Sequence, residues 1–136
     1  MKFIHISDIH LVSEESPLNG SIPSKRLEKC LDDILKWHSD AEFCVISGDL
    51  SEFAEKKAYQ SLKNRLQEFP IPFFLMIGNH DDRDVFQTVF PDNPCDQNNF
   101  VQKSFETSEG IFLFLDTKNK VKMCMTVSCV KNDLLG

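Results

Sequence analysis

Long apolar runs are missing from this chain. The longest, Ile71 to Ile77, falls far short of the roughly 20 residues a membrane-spanning helix needs. A basic excess is missing too: 15 Lys and Arg stand against 21 Asp and Glu, a net charge of −6, which argues against holding a nucleic-acid backbone. There is no disulfide framework. The five cysteines are odd in number and irregularly spaced, so Cys30, Cys44, Cys95, Cys124 and Cys129 read as free thiols of a reducing compartment. Asp8 and His10 interrupt any signal-peptide core at the N-terminus. Repeats and low-complexity segments are absent. All four histidines fall within the first 80 residues. These absences point to a cytoplasmic protein with no membrane partner. A chain of 136 residues, 41% hydrophobic and 26% charged, makes one domain of ordinary globular composition.

What is present is an alternation of strands and helices. Lys2 to Ile6 reads as a first strand, followed by a loop rich in Ser, Glu, Pro and Gly from Ser13 to Ile22. Pro23 and Ser24 open a helix carrying Leu27, Leu31, Ile34, Leu35 and Trp37 near helical spacing. Glu42 to Ile46 is a strand whose continuous apolar run predicts cover on both faces. A second helix is expected from Phe53 to Phe69, with Ala54, Ala58, Leu62, Leu66 and Phe69 on one stripe and Pro70 as its stop. Pro72 to Ile77 is the third strand. A short helix follows from Asp82 to Phe90, started by Asp81 or Asp82 and halted by Pro91. This order predicts an α/β fold with a parallel sheet, whose chemistry gathers at the carboxyl ends of the strands. Phe100 to Phe105 and Ile111 to Leu115 read as a further antiparallel pair. Met123 to Val130 has unusual composition and reads as a short strand without a clear partner.

Three short motifs sit just after the three apolar runs: Asp8-Ile9-His10, Gly48-Asp49 and Gly78-Asn79-His80-Asp81. Asp8 and His10 alternate with Ile9, so both can face one side of an extended segment and grip a cation there. Glycine at position 48 lets the chain turn tightly beside Asp49. Asn79 offers a neutral oxygen, and His80 a ligand or a proton donor. Each motif taken alone also has a bland reading: a solvated loop aspartate, a strand-ending turn, or a helix start with Asn79 in the turn and Asp81 as its cap. The acidic balance does not bar a small phosphate substrate, because bound metals supply local positive charge. His5 is read as packed or hydrogen-bonded, His38 as a helix-end charge, and Glu52 to Lys57 as a solvated helix face.

In order and spacing the three motifs resemble the calcineurin-like metallophosphoesterases. Gly78-Asn79-His80-Asp81-Asp82-Arg83 and Phe112-Leu113-Phe114-Leu115-Asp116-Thr117 are similar to the class III cyclic-nucleotide phosphodiesterase branch of that family. The resemblance covers Met1 to about Lys120. It implies the N-terminal half of a four-layer α/β/β/α sandwich and two divalent metals. Asp8 and His10 would bind the first metal, Asp49 would bridge both, and Asn79 would bind the second. His80 would be the catalytic group, stabilising charge or protonating the leaving alcohol without ligating metal. The implied reaction is hydrolysis of a small phosphodiester substrate, with cyclic nucleotides as the class the branch implies, by in-line attack of a metal-activated hydroxide. Mixed nitrogen and oxygen ligands suit manganese, iron or zinc.

The family pattern also takes histidines from a second half of the domain, and none follows His80 here. Residues 1–120 are therefore read as the N-terminal part of such a domain and 121–136 as an atypical tail. Lys122 to Gly136 can be back-translated so that another frame reads as a Gly-containing loop and an amphipathic helix, the expected continuation. A frameshift near Lys120 is the expectation drawn from this, with impaired activity and an apolar inner sheet face open to self-association. A second reading of function is a non-catalytic fragment or protein-binding scaffold on the same fold.

Overall fold

The structure, a computed structural model, describes residues 1–14 and 16–118, and the backbone of residues 126–130. Strands β1 (Phe3–Ser7), β2 (Phe43–Ser47) and β3 (Phe73–Met76) form a parallel sheet in that order. Helices α1 (Pro23–Trp37), α2 (Lys56–Gln67) and α3 (Arg83–Val89) follow the three strands in turn. Strands β4 (Lys103–Thr107), β5 (Gly110–Leu115) and β6 (Thr126–Val130) form a second, antiparallel sheet. The sequence patterns thus yield the α/β architecture they predict, and β6 gives part of the tail a partner, since it pairs with β5. Frameshift and domain boundary near Lys120, like Cys124, fall outside the described residues. Among the described residues no helix is long and apolar enough to cross a membrane.

Strand β2 is buried along its whole length because its two faces meet different layers. Cys44 and Ile46 share a core with Leu27, Leu31 and Ile34 of α1 and Leu62 and Leu66 of α2. Phe43 and Val45 on the other face share a second core with Met76 of β3 and Phe112 and Phe114 of β5. That core is aromatic: the Phe43 ring meets Phe105 and Phe112 edge-on, both at 5.2 Å, and Phe74 stacks on Phe114 at 4.9 Å. The inner face is therefore covered over β2 and β3, and the expectation of a bare apolar face is corrected there. The phenylalanines of β4 and β5 supply the cover. Among the described residues, the β1 end of that face is the open part, with Phe3 39% exposed. Arg83 ties the layers from the side. Its guanidinium grips the buried Asp116 with two bonds of 2.6 and 2.8 Å, and stands over the Phe100 ring. Asp116 also accepts the N–H groups of Val101 and Lys118, both at 3.0 Å.

Two element boundaries differ from the pattern. Helix α2 starts at Lys56 instead of Phe53. Ala54 lies at φ +52°, the Ser51 hydroxyl accepts Glu55 N–H at 3.2 Å, and the Glu55 carboxylate accepts Ser13 N–H and Oγ–H at 3.0 and 2.7 Å. Side-chain bonds to backbone outcompete the first helical turn there. Strand β4 starts at Lys103 because Asp96 accepts Phe100 N–H at 2.9 Å and Asp116 holds Val101, which keeps residues 100–101 in the loop.

Candidate metal centre and active site

Parallel pairing, with Phe3 opposite Phe43 and Cys44 opposite Phe73, ends all three strands of the first sheet at one edge. The ladder then continues through the loops. His10 N–H donates to the Asp49 carbonyl at 2.8 Å, Leu11 N–H to Leu50 at 3.0 Å, and Glu52 N–H back to Leu11 at 2.9 Å. The backbone bends sharply on this edge: Asp8, His10 and Asp49 lie at φ +57°, +46° and +43°, and Gly48 at +61°. Asp and His tolerate this left-handed region better than most residues, but three together store strain of the kind found at functional sites.

Asp49 is the centre. Its Oδ1 accepts His80 N–H at 2.9 Å, and its Oδ2 lies 3.9 Å from His10 Nε2. One donor atom each from His10, Asp49 and His80 lies within 4.8 Å of the others. The two imidazoles meet edge to face at 5.1 Å. The Asn79 amide sits 3.1 Å from both Asp49 oxygens. Gly78 makes room for this approach, since a Cβ there would fall 2.3 Å from Asp49 N and Oδ1. Asp8 does not join the cluster. It is exposed, and its N–H shares the carbonyls of Ser47 and Gly48 at 3.2 Å each.

Two acidic residues shape the site in ways the sequence pattern did not reveal. Glu52, read as part of a solvated helix face, turns into it instead. Its carbonyl accepts His80 Nδ1–H at 2.9 Å, which fixes that proton and frees Nε2, and its Oε2 lies 2.6 Å from His10 Nδ1. The available signal was position: Glu52 follows Asp49 closely, before any helical residue. Asp81 does not cap α3; Asp82 does, accepting Val85 N–H at 2.9 Å. Asp81 is buried and holds the site's backbone together. Its Oδ2 accepts the N–H groups of Gly78 at 2.7 Å and Leu50 at 3.0 Å. Its Oδ1 accepts Ser51 N–H at 2.9 Å and the Tyr59 hydroxyl at 2.8 Å. Burial pushes the Asp81 carboxyl up from the usual carboxylate range, against the pull of these four donors. Burial also raises the Tyr59 phenol. The bond to the Glu52 carbonyl raises His80, with the Asp49 and Glu52 carboxylates adding to it. His5 behaves as its position suggests, bonded to Ser47 Oγ at 2.6 Å.

The family model for calcineurin-like phosphoesterases matches residues 1–134. The chain belongs to that family. A probable cyclic nucleotide phosphodiesterase of Rhodopseudomonas palustris is 35% identical over 120 residues, 88% of this chain and 44% of the relative. One of Coxiella burnetii is 28% identical over 117 residues, 86% of this chain and 45% of the relative. The cAMP/cGMP dual specificity phosphodiesterase of Mycobacterium tuberculosis is 31% identical over 85 residues, 59% of this chain and 27% of the relative. The chain thus spans less than half the length of the curated relatives it matches.

The family implies divalent metals, and the donors present fit them. With its oxygen toward Asp49, the Asn79 amide meets acceptors only, a contact that a cation between them would satisfy; turned about, its nitrogen donates to both Asp49 oxygens at 3.1 Å. His10 Nδ1 is buried and close to Glu52, yet lies off the line of a hydrogen bond. Imidazole nitrogen, carboxylate and amide oxygen make a donor set that suits a divalent metal.

Proposed function

We propose that this phosphoesterase chain contributes the first-half metal ligands and the catalytic histidine of a phosphodiester hydrolase. The observation that carries the proposal is the convergence of His10, Asp49 and His80 donor atoms at the carboxyl edge of the parallel sheet. His10, Asp49 and Asn79 would hold metal at this cluster, and Asp8, which lies outside it in this structure, would reach it only by turning its side chain inward. When bound, the ions supply Lewis-acid polarisation of phosphoryl oxygens and water activation. His80 holds its Nδ1 proton on the Glu52 carbonyl. Its Nε2 is the position at which a proton reaches the leaving alcohol. The names of the relatives favour cyclic nucleotides as the substrate class.

No histidine follows His80, so this chain has fewer nitrogen ligands than the family pattern calls for. The expected result is manganese binding by calorimetry at fewer than two ions per chain, with slow hydrolysis of bis(p-nitrophenyl) phosphate. Asp49→Ala should abolish both. Metal binding that survives Asp49→Ala would remove the basis of the proposal. Fast turnover at two bound ions would instead show that no ligand is lacking.

A further inference from the structure

Phe53 is 66% exposed, one residue beyond Glu52. Single exposed apolar side chains are ordinary on protein surfaces; the address of this one is not. The peptide bond joining Glu52 to Phe53 carries the carbonyl that accepts His80 Nδ1–H at 2.9 Å. Phe53 is therefore joined directly to the carbonyl that holds His80. Its backbone is held from both sides. Glu52 N–H donates to the Leu11 carbonyl at 2.9 Å, and Glu55 is tied to Ser51 at 3.2 Å and to Ser13 at 3.0 and 2.7 Å. Between them Ala54 lies at φ +52°, a conformation alanine does not favour. A strained, fixed loop thus presents an aromatic ring to solvent next in sequence to a residue that contacts both His10 and His80.

We propose that Phe53 is the stacking platform for the base of a nucleotide-type phosphodiester, and the proposal rests on the phosphodiester reading of the site. A phenyl face accepts any nucleobase, because every base offers a π-face and stacking needs no matched hydrogen bonds. Phe53 therefore separates base-bearing from base-less phosphodiesters and discriminates little between adenine and guanine. A fixed loop strengthens such a contact, since little backbone freedom remains to be lost on binding.

Binding tests this directly. The full chain, loaded with manganese, is titrated with 3′,5′-cyclic AMP and with base-less dimethyl phosphate. The wild type should bind cyclic AMP about tenfold or more tightly than dimethyl phosphate, and Phe53→Ala should lose most of that preference while its dimethyl phosphate affinity holds. Phe53→Trp, in a Trp37→Phe background, should keep the preference and show fluorescence quenching by cyclic AMP. Equal loss of both ligands in Phe53→Ala, or unchanged cyclic AMP affinity, would overturn the stacking role and leave the phosphodiester reading standing. If the wild type bound neither ligand, both would fall.

Discussion

At the scale of the residue, the tightest constraint is the approach of Gly78 to Asp49. A methyl group at position 78 would overlap Asp49 N and Oδ1 at 2.3 Å, and backbone is the part least able to give way. Gly78→Ala should therefore displace Asp49, weaken manganese binding more than tenfold in calorimetry, and lower stability by about 2 kcal/mol or more in urea titration. The thiols divide as sharply. Burial pushes the Cys44 thiol up to about 12, with Cys30 nearby adding to it, while Cys95 is exposed. The thiolate is the nucleophile, so iodoacetamide at pH 8 should label Cys95 in the native chain and reach Cys44 only after unfolding, as peptide mass mapping would show. At this scale the sequence was legible where chemistry forces residue type. His10, Asp49, Asn79 and His80 stood out because each ends or follows an apolar run, and the structure brings them to one edge of the sheet; their roles stay a proposal. Glu52 and Asp81 did not, because a carboxylate near a helix start looks alike whether it faces water or the site.

At the scale of the element, strands were easier to read than helix starts. Continuous apolar runs left no alternative to buried strands for β2 and β3. The apolar stripe of α2 was equally plain, but it continues back through Ala54, and only the bonds among Ser13, Ser51 and Glu55 tell the chain to delay. The two bonds to Ser13 span 42 residues and leave no local pattern. They also hold Ala54 in a left-handed conformation at φ +52°. Glycine adopts that conformation freely, so Ala54→Gly should be tolerated and should stabilise the chain by about 0.5 kcal/mol despite its greater unfolded-state entropy. Urea titration would check it. A loss of stability larger than 1 kcal/mol would mean that the loop does not carry the strain assigned to it.

At the scale of the whole molecule, three layers were foreseeable and their closure was not. Alternating strands and helices announce a parallel sheet, but nothing local says that the phenylalanines of β4 and β5 fold over Phe43 and Phe74. The twelve phenylalanines of the chain carry no address; the register of two sheets supplies it. The Asp81 clamp has a consequence in time as well as in space. Its donors come from Gly78, from Leu50 and Ser51 some 30 residues earlier, and from Tyr59 on α2. They assemble only when β2 and β3 already lie in register, so the carboxylate closes late, after the slow non-local pairing is done. Asp81→Asn sets an amide N–H₂ against backbone donors, and stopped-flow refolding should show its cost almost wholly as faster unfolding, with the folding rate nearly unchanged. Such a variant would reach the native arrangement at the normal pace and then leave it early: Asp81 governs how long the assembled edge lasts.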